Sequence, residues 1–267
     1  MSYGKAAAER LQNKVVLITG ASSGIGFAIA EELAAVNSNI KLILTARSLD
    51  KLEKLKQSLE KKYEGIEVLA KKLDVSDVNS IVPFVNQLPK EYADIDILVN
   101  NAGLALGRDE VGEINPTDIE TMFQTNVLGL ITMTQAVLPR MKERNTGFIL
   151  GLGSIASRDG YPGGSIYCAT KASVRSFFQS LSKELISTKV RCSLLEPGMV
   201  RTNFSMTRFR NDQQKEADTY KGGEPLNAVD IAEIAAFILT RRENTVIAET
   251  LVFPTNQASS AHIYRSE

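Results

Sequence analysis

Seven short apolar runs, separated by stretches of helical periodicity, constrain this chain more than any other feature. They are "KVVLITG" (14–20), "IKLILTA" (40–46), "IEVLAKKLDV" (66–75), "IDILVNNAG" (95–103), "GFILGLGS" (147–154), "VRCSLLEPG" (190–198) and "ETLVFPT" (249–255). A strand that faces solvent on one side alternates apolar and polar residues; these runs are nearly continuous, as expected when helices cover both faces of a parallel sheet. The intervening "SLDKLEKLKQSLEKKY" (48–63) spaces Leu49, Leu52, Leu55 and Leu59 along one helix face and leaves its charges to solvent. Alternating strand and helix predicts a doubly wound sheet with right-handed crossovers. No repeat or linker divides the 267 residues, so one domain over 1–267 is expected. The polar stretch "TNFSMTRFRNDQQKEADTYKGGEPL" (202–226) is the one long interruption. It is read either as a cover over the site or as a surface excursion with a short helix.

The first run passes directly into a helix through "TGASSGIG" (19–26). Gly20, Gly24 and Gly26 permit a tight turn, close backbone approach to a pyrophosphate, and close helix packing, while the free N–H groups of the helix start meet the phosphates. The hydroxyls of Ser22 and Ser23 can add hydrogen bonds. The spacing differs from G-x-G-x-x-G, but its place after the first strand of a Rossmann-type α/β sheet predicts dinucleotide binding. The second run ends in "LTARS", which puts Arg47 where an acid would hold the ribose hydroxyls of NAD. An arginine can pair with a 2′-phosphate in bidentate fashion, so NADP is the expected cofactor.

Composition narrows the chemistry. Lys plus Arg and Asp plus Glu number 31 each, so no net field draws the chain to nucleic acid or to an anionic membrane. Cys168 and Cys192 build neither a disulfide framework nor a metal motif. No signal peptide or long apolar segment stands out, and a cytoplasmic protein is expected. The single histidine, His262, leaves nothing for a histidine-rich metal site and little for a Ser-His-Asp hydrolase. An acid/base group must then be a carboxylate, a lysine or a tyrosine. Of seven tyrosines, Tyr167 alone has a lysine four residues later, Lys171, on the same helix face. A free tyrosine titrates near 10. Lowering that by about 3 units needs roughly 4 kcal/mol, the energy of an ammonium about 4 Å away at an effective dielectric of about 20. Ser154 ends the fifth run, at the sheet edge where such folds bind ligands, and can hold a substrate oxygen against Tyr167.

TGASSGIG at 19–26, NNAG at 100–103, Asn126 in "TNVLG", Ser154, the Tyr167/Lys171 pair and "EPGMVRT" at 196–202 occur in this order along the chain. Together they resemble the short-chain dehydrogenases/reductases over nearly the whole length. The resemblance implies that Ser154, Tyr167 and Lys171 are catalytic, with Asn126 supporting a proton relay. It also implies that Gly20, Ser22, Ser23, Gly24, Ile25, Gly26 and Arg47 hold the cofactor. Asp74 and Val75 would meet its adenine edge, and Asn101, Ala102 and Gly103 its adenine ribose. Pro197, Gly198, Val200 and Thr202 would lie at the carboxamide end, with Tyr167 and Lys171 beside the nicotinamide. Members are commonly homotetramers joined through the helices that carry Asn126 and Tyr167. Cys168 is read as a packing residue. Glu196 departs from the small or neutral residue expected before Pro197, and must be exposed or paired.

Within that family, "NNAGLALG", "GSIASRDGYPGGSIYCATK" and "VFPTNQAS" resemble microbial NADP-dependent 3-hydroxy acid dehydrogenases, which act on serine, allo-threonine and related acids. Such a substrate needs a cation for its carboxylate. Arg158, and Arg208 or Arg210 in the late loop, are the candidates, although each can equally be a surface residue. A carbonyl reductase for neutral ketones, keto sugars or β-keto esters is the alternative, and a non-catalytic NADP-binding sensor is a third reading.

Overall fold

The computed structural model describes residues 4–266. Each of the seven runs forms a strand: β1 Val15–Thr19, β2 Lys41–Ala46, β3 Glu67–Lys72, β4 Ile97–Asn100, β5 Gly147–Leu152 and β6 Val190–Pro197 come first. Two short strands follow, β7 Val200–Arg201 and β8 Leu226–Asn227, and then β9 Glu249–Val252. The main sheet has the order β3-β2-β1-β4-β5-β6-β9 with parallel pairing throughout, while β7 and β8 pair with each other. The helices are α1 Lys5–Ala8, α2 Gly24–Val36, α3 Leu49–Lys62, α4 Val78–Asn86, α5 Pro116–Phe123, α6 Leu130–Glu143, α7 Ser165–Glu184, α8 Asn203–Arg208, α9 Gln213–Tyr220 and α10 Ala228–Leu239.

The continuous apolar strands have the cause inferred for them. Successive side chains point to opposite faces, and both faces are covered. Val16 and Ile18 of β1 enter a core with Ile29 and Leu33 of α2 and Ile231 of α10. Their neighbours Val15 and Leu17 enter a second core with Met133 and Val137 of α6 and Val174 of α7. Every residue of β1 is buried.

The structure trims the expected runs where they reach the site. β3 ends at Lys72 and β4 at Asn100, so 73–75 and 101–103 lie beyond the ladder. Asp74 turns the chain there by accepting hydrogen bonds from the Ser76 N–H (3.0 Å) and hydroxyl (2.7 Å). In α3, Leu52, Leu55 and Leu59 are buried, but Leu49 is 40% exposed because it lies in the first turn, before the helix settles on the sheet. Between α5 and α6 runs a π-helical turn, Gln124–Gly129. Stretch 202–226 holds two short helices, α8 and α9, rather than one. No helix among the described residues is long and apolar enough to cross a membrane.

β1 lies between β2 and β4, so the chain builds outward to β3 on one side and then returns past β1 to build β4 on the other. That reversal opens a crevice above the carboxyl ends of the strands, where such sheets bind ligands.

Candidate active site

A single cavity of about 1590 Å³ fills this crevice and extends over the ends of β5 and β6. It exceeds the usual range of about 300–1,000 Å³ for small-molecule sites. Every residue expected to hold the cofactor lines it except Gly26.

Gly26 works from behind. A Cβ there would collide with the Asn101 amide and approach the Gly20 carbonyl to 2.7 Å. At Gly20 a Cβ would lie 2.9 Å from Ala102 Cα, and Gly20 and Gly24 have φ of +67° and +60°. Only glycine meets both demands without strain. The turn is pinned across the sheet by Thr19, whose hydroxyl oxygen accepts from the Asn101 N–H (3.1 Å) and the Ala102 N–H (3.0 Å). Asn101 donates its amide to the carbonyls of Thr19 (2.9 Å) and Gly20 (3.2 Å), so these protons serve the turn and not a ribose. Ser23 precedes α2 without a side-chain cap, which leaves its hydroxyl and the helix start available to an anion. Arg47 is exposed, lines the cavity, and pairs with no acid among the described residues. A free cation beside an uncapped helix start and a glycine cradle fits a dinucleotide carrying an extra phosphate.

Ser154, Tyr167 and Lys171 converge on the cavity. Tyr167 and Lys171 stand one turn apart on α7, whose next positions on that face, Val174, Phe178 and Leu181, are buried and fix the helix on the sheet. The Lys171 ammonium donates to the Leu152 carbonyl at 2.7 Å and lies 5.8 Å from the Tyr167 ring centre. Ser154 accepts the Ala156 N–H at 3.1 Å, which leaves its own proton free to donate. Burial pushes the Tyr167 phenol well above its ordinary value, and Tyr161 adds to this, while the Ser154 hydroxyl and Arg208 pull it down. Burial also lowers Lys171, to about 8. The ammonium by itself therefore does not bring the phenol toward neutrality as the spacing suggested; without a further positive charge, Tyr167 stays a protonated acid.

Asn126 does not line the cavity. It is buried in the π-helical turn, accepts from the Leu104 N–H (2.8 Å), and donates to the Leu104 carbonyl (2.8 Å) and the Thr170 hydroxyl (3.1 Å). It joins the segment after β4 to α7 and braces the wall behind Tyr167 and Lys171.

Arg158 does not face the cavity either, which corrects its reading as a carboxylate ligand. Its guanidinium is committed to Glu196, at 2.8 Å from Nε, and to Glu249. Glu196 is fully buried and paired. Arg210 lines the cavity but pairs with Asp118 at 2.5 Å. Of these three arginines, Arg208 is the one left for an anion. It lines the cavity and pairs with no acid among the described residues. It donates to the Gly107 carbonyl (3.0 Å), the Tyr161 hydroxyl (2.8 Å) and the Gly163 carbonyl (3.0 Å). Of its five N–H groups, one on each terminal nitrogen remains uncommitted.

Sequence reasoning missed three parts of this wall. Phe204 of α8 packs edge-on to Tyr167, with ring centres 5.6 Å apart. Tyr161 stacks under Arg208 at 5.4 Å. Gln257, Ser260 and Ile263 close the cavity from the C-terminal side, with Gln257 accepting the Met199 N–H at 2.7 Å. Tyr161 carried one legible signal, its place in a Gly/Pro loop between Ser154 and Tyr167.

Comparison with known proteins agrees with this geometry. A family model described as short chain dehydrogenase matches residues 14–213. An NADP-dependent 3-hydroxy acid dehydrogenase of Schizosaccharomyces pombe is 53% identical over 258 residues, covering 97% of this chain and 99% of that one. The enzyme of that name in Salmonella typhi is 41% identical, covering 94% and 100%. Among solved structures, the closed form of serine dehydrogenase complexed with NADP+ superposes with a TM-score of 0.86 at 38% identity, covering 94% and 99%.

Proposed function

Because the chain belongs to the short-chain dehydrogenase family, we propose that it is an NADP-dependent oxidoreductase that interconverts 3-hydroxy acids, serine and allo-threonine among them, with their 3-oxo counterparts. The glycine cradle would hold the cofactor, and Arg47 would pair with its 2′-phosphate. When bound, its nicotinamide accepts or supplies the hydride. In reduction the Tyr167 phenol gives its proton to the carbonyl oxygen and is left as phenolate; in oxidation, with the positive charge of an oxidised nicotinamide beside it, Tyr167 starts as the phenolate and takes the proton of the alcohol. Ser154 donates a hydrogen bond to the same oxygen and holds it at Tyr167. Lys171 holds the Leu152 carbonyl, and with it the backbone that leads to Ser154.

The observation that carries the substrate reading is Arg208. A cation with two uncommitted N–H groups, close enough to influence the Tyr167 phenol, suits a carboxylate one or two carbons from the reacting centre. Charge-assisted hydrogen bonds of this kind are worth about 1.5–3 kcal/mol. Arg208→Met is therefore expected to raise the Michaelis constant for 3-hydroxy acids roughly ten- to hundredfold, with little effect on neutral alcohols. Steady-state assays that follow reduced nicotinamide, with NADP and NAD compared, provide the check. Equal loss on both substrate types would discard the carboxylate site. Phe204, Leu104 and Ile155 line the same cavity and give it an apolar wall, which favours reduction of neutral ketones as the second reading. The proposal includes a cytoplasmic homotetramer.

A further inference from the structure

Glu196 is an acid where the sequence pattern led us to expect a small or neutral residue, and it is 0% exposed at the end of β6. Its partners explain what it does there. One carboxylate oxygen accepts the Ser157 hydroxyl and lies 3.9 Å from Arg175 Nε. The other accepts both Nε and Nη2 of Arg158. Glu249, on the neighbouring β9, completes a neutral square by pairing with Arg158 and, at 3.3 Å, with Arg175. Two buried or half-buried acids thus meet two arginines. Burying such a set is weak evidence for stability, because desolvation offsets most of the attraction. A geometric role is the better account.

Ser157 and Arg158 end the single 3-10 turn Ile155–Ser157, and Ser154 begins it. The Ser154 hydroxyl oxygen accepts the Ala156 N–H, and its carbonyl accepts the Ser157 N–H at 2.9 Å. The turn is short, so its far end sets its rotation and thereby the direction of the Ser154 hydroxyl. The near end is gripped independently. Gly153 donates its N–H to the Leu195 carbonyl at 2.7 Å, and a Cβ at Gly153 would approach Glu196 Cγ to 2.7 Å. Glu196 therefore touches the Ser154 segment on both sides.

We propose that Glu196 is a positioning residue for Ser154: through Ser157 and Arg158 its carboxylate locks the Ile155–Ser157 turn and aims the Ser154 hydroxyl at the substrate oxygen. This rests on the reading of Ser154 as the group that holds that oxygen. Arg175 belongs to the same ionic square but donates to Glu249 and not to the turn among the described residues, which makes it the control.

The test compares Glu196→Gln, Ser157→Ala, Ser157→Thr and Arg175→Gln. Ser157→Ala and Glu196→Gln are expected to lower kcat roughly ten- to hundredfold, as for a catalytic group misplaced by about 1 Å. NADPH affinity, read from its fluorescence, is expected to stay unchanged. The primary deuterium isotope effect on kcat should rise as hydride transfer becomes slower. Ser157→Thr keeps the hydroxyl and should restore wild-type values, and Arg175→Gln should lose thermal stability alone. Wild-type kcat and isotope effect in Ser157→Ala, or an equal loss in Arg175→Gln, would overturn the proposal. A crystal structure of Ser157→Ala reads the same claim without a substrate: a displaced Ser154 hydroxyl supports it, and an unmoved one overturns it. If the wild-type protein turns over no 3-hydroxy acid while Ser154 moves in the variant, the substrate reading fails and the positioning role stands.

Discussion

A lysine desolvated by burial loses its proton more readily than one in water, and burial brings Lys171, which donates to the Leu152 carbonyl, to about 8 from an ordinary 10.5. Below about 8 the folded chain must bury the charge, and the full penalty applies. Between about 8 and 10.5 the unfolded chain binds the extra proton, so stability rises with pH, and above that range the penalty is gone. At 1.36 kcal/mol per unit the penalty is about 3 kcal/mol. Lys171→Met is expected to be more stable than wild type near pH 7, by about that amount less the roughly 1–3 kcal/mol of leaving the buried Leu152 carbonyl unpaired. That advantage should disappear near pH 10.5, and urea denaturation at the two pH values decides it. Residue spacing alone cannot weigh this burial against the attraction between the ammonium and Tyr167. Arg158 misled for a related reason. Its partner Glu196 lies 38 positions away on β6, and no spacing rule connects them. Arg208 differs from Arg158 only in what surrounds it after folding.

Among the elements, strands were the most legible because burial on both faces writes itself as an unbroken apolar run. Their ends were not, since the residues that follow the last ladder bond are as apolar as those before it: Leu73 and Val75 are buried without being strand. The two short helices of 202–226 were hidden by polar composition, and the π-helical turn has no periodicity that a helical reading can separate from its neighbours. α7 is the element that carries Tyr167 and Lys171. Gly151 makes room for the Phe178 ring beneath it, and Phe178 is 4% exposed. Phe178→Ala is expected to cost about 3–5 kcal/mol, and urea denaturation monitored by circular dichroism should show the lower midpoint with an unchanged slope.

At the scale of the whole molecule, the equal numbers of acids and bases leave no long-range field to bring copies together, so association must rest on contact surfaces. The helical layer that carries Asn126 and Tyr167 offers one. Leu128 is 43% exposed beside α6, and Ala169, Ala172 and Ser176 are exposed along α7, small enough for a second backbone to come close. A tetramer through these helices is expected to show a solution mass about four times 29.2 kDa by light scattering. Leu128→Glu should lower that mass, and a wild-type monomer would discard the assembly.

The π-helical turn at Gln124–Gly129 has a consequence for how this site can change. Such turns interrupt ordinary helical winding with one wider loop. Each residue of an α-helix advances the rotation by about 100°, and the wider turn spreads one extra residue over nearly the same total angle. Removing a single residue from 124–129 would therefore restore regular winding and leave the Met133 and Val137 face of α6 on its core. What it would dismantle is the turn itself, where Asn126 reaches Leu104 and Thr170. Core and brace are thus separable in this segment: a one-residue deletion can spare the first while removing the second.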